Sequence, residues 1–471
     1  MMIALVQMPP CPRDVPPFEI ALTAAVLRRE GHDVSVFDLS NELFEEAFKE
    51  RVHWKYPLTK RSADSSAAIC GALEDELTAH AEAIMASAPD AVVFKAEHGF
   101  DSAVRMTRRL KAMRPGMPVV SSGMNTPDKR ILAAWNADPE GGHLPFDRHI
   151  LGEDDVALPE TLSALGRGSA GPKLVVGTEV EDLDSLPFHD FTDYDFTRYS
   201  EPGMIRFCVS RGCPRRCAFC RDWVVGGKYR SMSGDRWFEE YRAQYSRHPQ
   251  LVHFRHYDRL LNGDVQALDR FCGRVLEGFS KPPVVWGGDF VIRPEMTDGL
   301  IAKMARSGCN NLGAGLESGS ERVRASMGKG FFSNELASRV FKSCRKHGIL
   351  VSVNIMVGLP GEGPEDLEET LAFLEADMES VWEVRLTMPT VQLQPGTPLW
   401  EEPNRFGLKP ADGEMWESLD GKNVYAERVR RFERLCSRAL EMGVQRLMVN
   451  RRLVRTRAAV GALARECRRD D

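Results

Sequence analysis

Short apolar runs alternate with amphipathic stretches along most of the chain. Residues 2–7, apolar except for one glutamine, predict a buried strand. A proline-rich break follows at Pro9, Pro10, Pro12, Pro16 and Pro17. Over residues 19–31, Ile20, Ala24 and Leu27 share one helical face, and Gly31 is placed to end the helix. A second strand ends near Asp38, residues 73–88 read as a helix, and 89–96 as a third strand. A helix over 102–112, a fourth strand ending at Gly123, a fifth ending near Gly152 and a helix from about Pro159 complete the series. This rhythm predicts a Rossmann-like, doubly wound parallel sheet. Ligands of such sheets sit beyond the carboxyl ends of the strands. Those ends carry Pro9, Pro10, Lys95, Ser121, Ser122, Gly123, Gly152 and Glu153. No G-x-G-x-x-G follows the first strand, which argues against a dinucleotide site.

Residues 166–200 read as a connector: small and polar at first, then acidic with scattered aromatics. A second α/β series begins near Met204. Strand-like pieces IRFCVS, LVHFRHY, PVVWGGDFV, NLGAGLE, LVSVNIMV and VRLTMPTVQ alternate with helices over 233–246, 265–279, 296–307, 334–347 and 364–376. Six such steps predict a partial (β/α)6 barrel. From Arg428 the chain holds thirteen arginines, no lysine and five acidic residues. It reads as one or two amphipathic helices whose arginines face the acidic body or, alternatively, a phosphate or nucleic acid. The expected division is 1–165, a linker over 166–200, a core over 201–410 and a helical region over 411–471.

Composition narrows the function classes. The chain has 471 residues, 43% apolar and 28% charged, with a net charge of −6. Those values exclude collagen-like and wholly disordered proteins and give no case for a nucleic-acid surface. No apolar run approaches the roughly 20 residues of a spanning helix. The first residues lack a basic region, and eleven cysteines are too sparse for a disulfide scaffold, so reduced thiols in the cytoplasm are expected.

The informative segment is Ser210-Arg211-Gly212-Cys213-Pro214-Arg215-Arg216-Cys217-Ala218-Phe219-Cys220. Its C-x3-C-x2-C spacing lies in a loop after a predicted strand, so glycine and proline can turn three sulfurs towards one object. Thiolates ligate iron–sulfur clusters, and three of them leave one iron of a cubane open. The alternative, structural zinc, normally takes four closed ligands, with Cys208 or a histidine as the fourth. The other cysteines are scattered and read as buried thiols, Cys11 being the one placed in a loop at the ligand-binding edge.

This segment resembles the cluster loop of the radical S-adenosylmethionine (SAM) enzymes, including the aromatic Phe219 before the third cysteine. The resemblance implies a [4Fe–4S] cluster on Cys213, Cys217 and Cys220, with SAM chelating the open iron. It also implies SAM contacts from Gly287, Gly288, Asp289 and Arg293 at one strand end, Glu317 and Ser318 at another, and Lys329. The turn over 357–362 and the segment over 394–399 are similar to the family's later core turns. Residues 1–165 resemble the cobalamin-binding domain that precedes the radical core in one large subfamily. That likeness implies cobalamin near Pro9, Pro10, Ser121, Ser122, Gly123, Gly152 and Glu153. The D-x-H-x-x-G motif that supplies a histidine below cobalt is missing; His32 and His98 do not stand in that context.

Together these likenesses imply a class B-type, cobalamin-dependent radical SAM methyltransferase. One SAM would methylate cobalamin and a second would give the 5′-deoxyadenosyl radical that activates a substrate carbon. A one-electron donor such as a flavodoxin or ferredoxin is implied too. Ring contraction, cyclisation or another rearrangement without methyl transfer is the alternative. Methylthio transfer lacks its second cysteine triad. His253, His256, Tyr257 and Asp258, near the second core strand end, are candidates to position substrate or move a proton. The substrate stays open among small molecules, lipids and peptides.

Overall fold

The computed structural model describes residues 1–9, 11–43, 74–96, 99–123, 144–386, 391–411, 413–449 and 452–468. They form two compact units, one from 1–207 with 240–251 and one from 208–239 with 252–471.

The first unit is built on strands β1 (Met2–Gln7), β2 (Asp33–Asp38), β3 (Ala91–Lys95), β4 (Val119–Gly123), β5 (Arg148–Leu151) and β6 (Leu174–Val176). Their order is β2-β1-β3-β4-β5-β6, and every pair is parallel. Alternation along β1 decides which helices cover which face. Ile3 and Leu5 pack with Ile20, Ala24 and Leu27 of the helix Phe18–Arg29. Ala4 and Val6 pack with Ala103, Met106 and Leu110 of the helix Phe100–Met113. This is the doubly wound arrangement expected. Gly31 ends the first helix at φ +81°, a left-handed conformation that glycine adopts without steric cost. The stretch expected to be only a connector contributes β6, fastened by His149 N–H donating to Lys173 O at 2.7 Å and Gly177 N–H to Leu151 O at 2.7 Å. Its three apolar residues are too few to mark a strand, and they stand at a sheet edge with Val176 exposed.

The second sheet has eight strands: β7 (Met204–Phe207), β10 (His253–His256), β11 (Val285–Phe290), β12 (Cys309–Glu317), β13 (Leu350–Ile355), β14 (Glu383–Leu386), β15 (Arg446–Val449) and β16 (Arg452–Val454). The order is β16-β15-β14-β13-β12-β11-β10-β7. Two short strands, β8 (Ser210–Arg211) and β9 (Arg230–Ser231), pair antiparallel on their own. One face of the large sheet buries Phe254, Trp286, Leu312, Val351 and Val384. Helices cover it, with Trp237 of Gly234–Arg247 stacked on Phe271 of Val265–Gly278 at 4.0 Å between ring centres. The other face presents Arg255, Asp289, Asn311, Ser352 and Arg385, a row of polar groups bonded across strands.

The tail departs from an all-helical reading. Between the helices Tyr425–Glu441 and Arg457–Arg468 it adds β15, parallel to β14, and β16, antiparallel to β15. The strand is only four residues long, too short to signal itself: Leu447 and Val449 are buried, while Arg446 turns to Glu383 at 3.0 Å. Other arginines of the helix Tyr425–Glu441 meet carboxylates. Arg434 lies 2.6 Å from Glu368 and Arg438 3.3 Å from Glu375, on the helix Pro364–Asp377. Among the described residues no helix is long and apolar enough to cross a membrane.

Candidate functional site

The three cysteines lie between the β8–β9 ladder and the short helix Asp222–Val225, and none is in a disulfide. Gly212 precedes them at φ +71°; a Cβ there would meet Lys228 O at 2.5 Å, so only glycine fits the turn. Asp258 braces the entry to the loop. Its carboxylate accepts from Val209 N–H at 3.0 Å, Ser210 N–H at 2.5 Å and Ser210 Oγ–H at 2.5 Å. Burial pushes its pKa up to about 7 despite these donors. Inside the loop, Trp223 Nε1–H donates to Cys217 O at 3.1 Å. Ala218 N–H donates to Met327 O at 2.9 Å. Phe219 packs against the apolar cluster that holds Met327, Leu359, Leu393 and Leu399.

The Met327 bond carries the loop to Lys329. Lys329 Nζ donates to Glu317 Oε1 at 2.7 Å, and each side chain is only 11% exposed. The pair occupies space that Gly315 leaves empty; a Cβ there would lie 2.5 Å from the Lys329 nitrogen and 2.6 Å from the Glu317 oxygen. Glu317 stands at φ +65°, where the β12–β13 register slips between Gly315 and Glu317. A non-glycine residue held there costs about 1–3 kcal/mol, and such strain concentrates at functional sites. Burial pushes all three thiols upward, Cys220 to about 12, and the Lys329 ammonium works against this at Cys213 and Cys217.

Among the described residues, no three His, Cys, Asp or Glu side chains are drawn together as a bound ion would draw them. The donor chemistry nonetheless fits a cluster. Three unpaired thiols share one tightly tethered loop, and each gives up its proton on binding metal.

The remaining expected contacts divide by face. Asp289 Oδ1 accepts from Arg255 Nη2–H at 2.9 Å and lies 3.9 Å from Arg385 Nη1. Gly287 backs on Asn311, so its missing side chain permits close strand approach. Gly288 faces the helices instead, where a Cβ would meet Leu261 at 2.9 Å and His256 at 3.1 Å. Ser318 turns its hydroxyl to Thr370 at 3.2 Å. Arg293 donates to the carbonyls of Asn262 and Gly263 at 3.0 and 3.1 Å and pairs with Glu295 at 2.8 Å.

His256 faces the helices rather than the polar row. It is 1% exposed, packs edge-on to Trp237 at 4.9 Å, and burial drives its pKa to about 3. Alternation along β10 explains this: residues 254 and 256 face the helices and Arg255 faces the polar row. Asp258 likewise serves the backbone of 209–210. His253 is lowered to about 4 by burial, and Tyr257 lies under the Arg259 guanidinium at 5.6 Å.

In the first unit, the carboxyl ends of β3, β4 and β5 gather polar groups. Lys95 and Asp154 form a buried ion pair at 2.6 Å, and Ser121 Oγ lies 2.5 Å from His149 Nδ1. The Ser122 hydroxyl, fully buried at the register position opposite Lys95, has no hydrogen-bond partner among the described residues. Gly152 follows at φ +85°, while Glu153 Oε2 accepts from Val180 N–H at 2.9 Å and so supports the connector. Pro9 is buried; Pro10 lies outside the described residues, as does His98. His32 stands just before β2, at the opposite edge of the sheet. The orphaned Ser122 hydroxyl beside buried charge fits an edge built for a polar ligand. Lys95 and Asp154 were legible only as charges inside an apolar strand and after a glycine turn.

Residues 207–374 match the model of the Radical SAM superfamily. An uncharacterized methyltransferase of Pyrococcus horikoshii is 25% identical over 275 residues, covering 54% of this chain and 58% of the relative. The bacteriochlorophyllide d C-12(1)-methyltransferase of Chlorobaculum tepidum is 29% identical over 217 residues, covering 44% of this chain and 43% of the relative. The chain thus spans about half the length of the curated relatives it matches. Among solved structures, the radical SAM methyltransferase TsrM of Kitasatospora setae, with cobalamin and a [4Fe-4S] cluster bound, aligns at a TM-score of 0.63. It shares 16% identity over 92% of this chain and 81% of that one, a likeness of fold. Residues 207–374 therefore carry a Radical SAM domain, which implies SAM and a [4Fe–4S] cluster.

Proposed function

We propose that this chain is a cobalamin-dependent radical SAM methyltransferase acting on a carbon of a small molecule, lipid or peptide. The observation that carries the reading is the tether from the cysteine loop through Met327 to the Lys329–Glu317 pair. Bound together, the cluster and SAM supply one-electron cleavage to a carbon radical, and cobalamin supplies a transferable methyl group.

Cys213, Cys217 and Cys220 would hold three irons and leave the fourth for SAM. The Lys329 ammonium and Glu317 carboxylate would meet the carboxylate and ribose of SAM. Asp289, set by Arg255, offers its exposed oxygen to the amino end. Phe219 and the loop glycines exclude water by close packing; Gly288, Ser318 and Arg293 act through the backbone they support. Ser121, Ser122, Gly123 and Gly152, with Lys95 and Asp154 beneath, would receive cobalamin. No histidine ligand to cobalt is assigned.

Anaerobic reconstitution with iron, sulfide and hydroxocobalamin tests this. Retained iron and cobalamin are counted, and 5′-deoxyadenosine is measured after adding SAM and dithionite. The Cys213→Ala, Cys217→Ala, Cys220→Ala triple variant is expected to lose iron and SAM cleavage while keeping cobalamin. SAM cleavage without retained cobalamin would overturn the methyltransferase assignment. A substrate product of unchanged mass would favour rearrangement.

A further inference from the structure

We infer that Arg385 and Arg446, on the polar face of the second sheet, form a clamp for a carboxylate of the substrate, an inference that rests on the radical SAM reading and narrows its substrate class. Every residue of the clamp belongs to the second unit. Glu383, its side chain only 7% exposed, answers both guanidiniums at once. Its Oε1 accepts from Arg385 Nε–H and its Oε2 from Arg446 Nε–H, the latter at 3.0 Å. Each arginine is thus anchored through Nε, which leaves both of its terminal nitrogens for other acceptors. Arg385 Nη2 donates to Ser352 Oγ at 3.1 Å, while its Nη1 stands 3.9 Å from Asp289 Oδ1. Arg446 Nη2 lies 3.9 Å from the Met448 sulfur, and among the described residues Arg446 meets no second carboxylate. The anchor is buried, yet the two arginine side chains stay 32% and 42% exposed.

Strand register places the clamp beside the lysine–glutamate pair. Asp289, Gly313, Ser352, Glu383 and Arg446 stand on one line across β11 to β15, and Gly315, Asn354, Arg385 and Met448 on the next. Gly315 is the position whose missing side chain houses Lys329 and Glu317. Arg385 stands two strands away on the same line, about 10 Å at the usual strand spacing. A side chain on Gly313 would strike Asp289 and come within 3.3 Å of Arg385 Nη1, so glycine keeps the wall between them open to polar groups. Charge then selects the ligand. One carboxylate between two guanidiniums leaves one positive charge unanswered, which suits a monoanion. Planar N–H forks match a planar carboxylate. Asp289, paired with Arg255 at 2.9 Å, adds negative charge at the flank and disfavours a phosphate dianion.

The test uses the reconstituted full-length protein with benzoate as the carboxylate probe. Ligand-observed NMR titrations compare benzoate, its neutral counterpart benzamide and inorganic phosphate. Benzoate should bind at least about tenfold more tightly than benzamide and no more weakly than phosphate. Arg446→Gln leaves Glu383 paired with Arg385, so no buried charge is stranded, and it should weaken benzoate by about tenfold. Arg385→Lys/Arg446→Lys keeps the charge without the fork and should also lose affinity. Arg434→Gln/Arg438→Gln, on the helix Tyr425–Glu441, should bind benzoate as wild type does. Wild-type benzoate affinity in Arg446→Gln, an equal loss in Arg434→Gln/Arg438→Gln, or a preference for phosphate overturns the clamp. These titrations are read without SAM. Absence of 5′-deoxyadenosine from wild type supplied with SAM and dithionite would instead sink the radical SAM reading, and with it the assignment of the clamp to a substrate, whatever the benzoate result.

Discussion

Lys329 Nζ lies 2.7 Å from Glu317 Oε1, and the pair fills the void beside Gly315. Removing one partner of a buried ion pair strands the other charge, which typically costs about 3–5 kcal/mol. Lys329→Met is therefore expected to lower stability by about 3 kcal/mol in urea unfolding, and adding Glu317→Gln should recover most of it. Gly315→Ala should displace both groups and weaken SAM binding by isothermal titration. Unchanged SAM affinity in Gly315→Ala would detach the pair from the SAM site.

Asp258 predicts a pH dependence. Burial raises its folded pKa to about 7, above the ordinary carboxylate value of 3.8. The folded state therefore holds its proton longer than the unfolded chain. The stabilisation is full below the unfolded pKa and is lost as pH rises from about 4 through about 7. The neighbouring His256, driven to about 3, stays neutral across this window. Asp258→Asn keeps an acceptor for Val209 and Ser210, so it should flatten the fall in melting temperature between about pH 5 and 8. An unaltered slope would assign that dependence elsewhere.

Arg428 predicts that the tail helix supports the core turn over 357–362. Its guanidinium stacks on Trp416 at 3.8 Å and donates to the carbonyls of Asn423, Glu414 and Trp416 at 3.2, 2.7 and 2.9 Å. Its side chain runs where a Cβ of Gly358 would stand. Arg428→Met leaves these carbonyls short of donors and should cost about 3 kcal/mol in chemical unfolding. Arg428→Lys should recover little, because an ammonium cannot reproduce the planar fork. Full stability in Arg428→Met would make the tail dispensable to that turn.

Ser122 predicts a trade between stability and cofactor retention. An unsatisfied buried hydroxyl costs about 1–3 kcal/mol, so Ser122→Ala should raise the melting temperature of cofactor-free protein. The same change should reduce cobalamin retained after desalting. A variant that gains stability yet holds cobalamin as well as wild type would remove Ser122 from the cobalamin edge.

Much of the architecture was legible without coordinates because it rests on local patterns. Short apolar runs marked β1 to β5 and β10 to β14, since a parallel strand covered on both faces is apolar along most of its length. The cysteine loop stood out because three thiols at fixed short spacing have few chemical uses. What escaped was short or decided by distant partners. β6 and β15 carry too few apolar residues to signal a strand; a neighbouring strand completes their hydrogen bonds. His256, Asp258, Gly288 and Ser318 stood at the expected strand ends, yet which face each side chain took depended on bulges and cross-strand register.

Order along the chain therefore determined that two α/β series exist, that the second opens on a thiol loop, and that its glycines recur at strand ends. Tertiary structure alone decided that Lys329 meets Glu317, that Asp258 braces the loop, and that Arg428 lies buried in carbonyls instead of facing solvent. The Lys329–Glu317, Asp258–Val209 and Arg428–Trp416 pairings each join residues 12 or more positions apart. Spacing cannot encode such contacts, because they exist only once packing has chosen a face and excluded water.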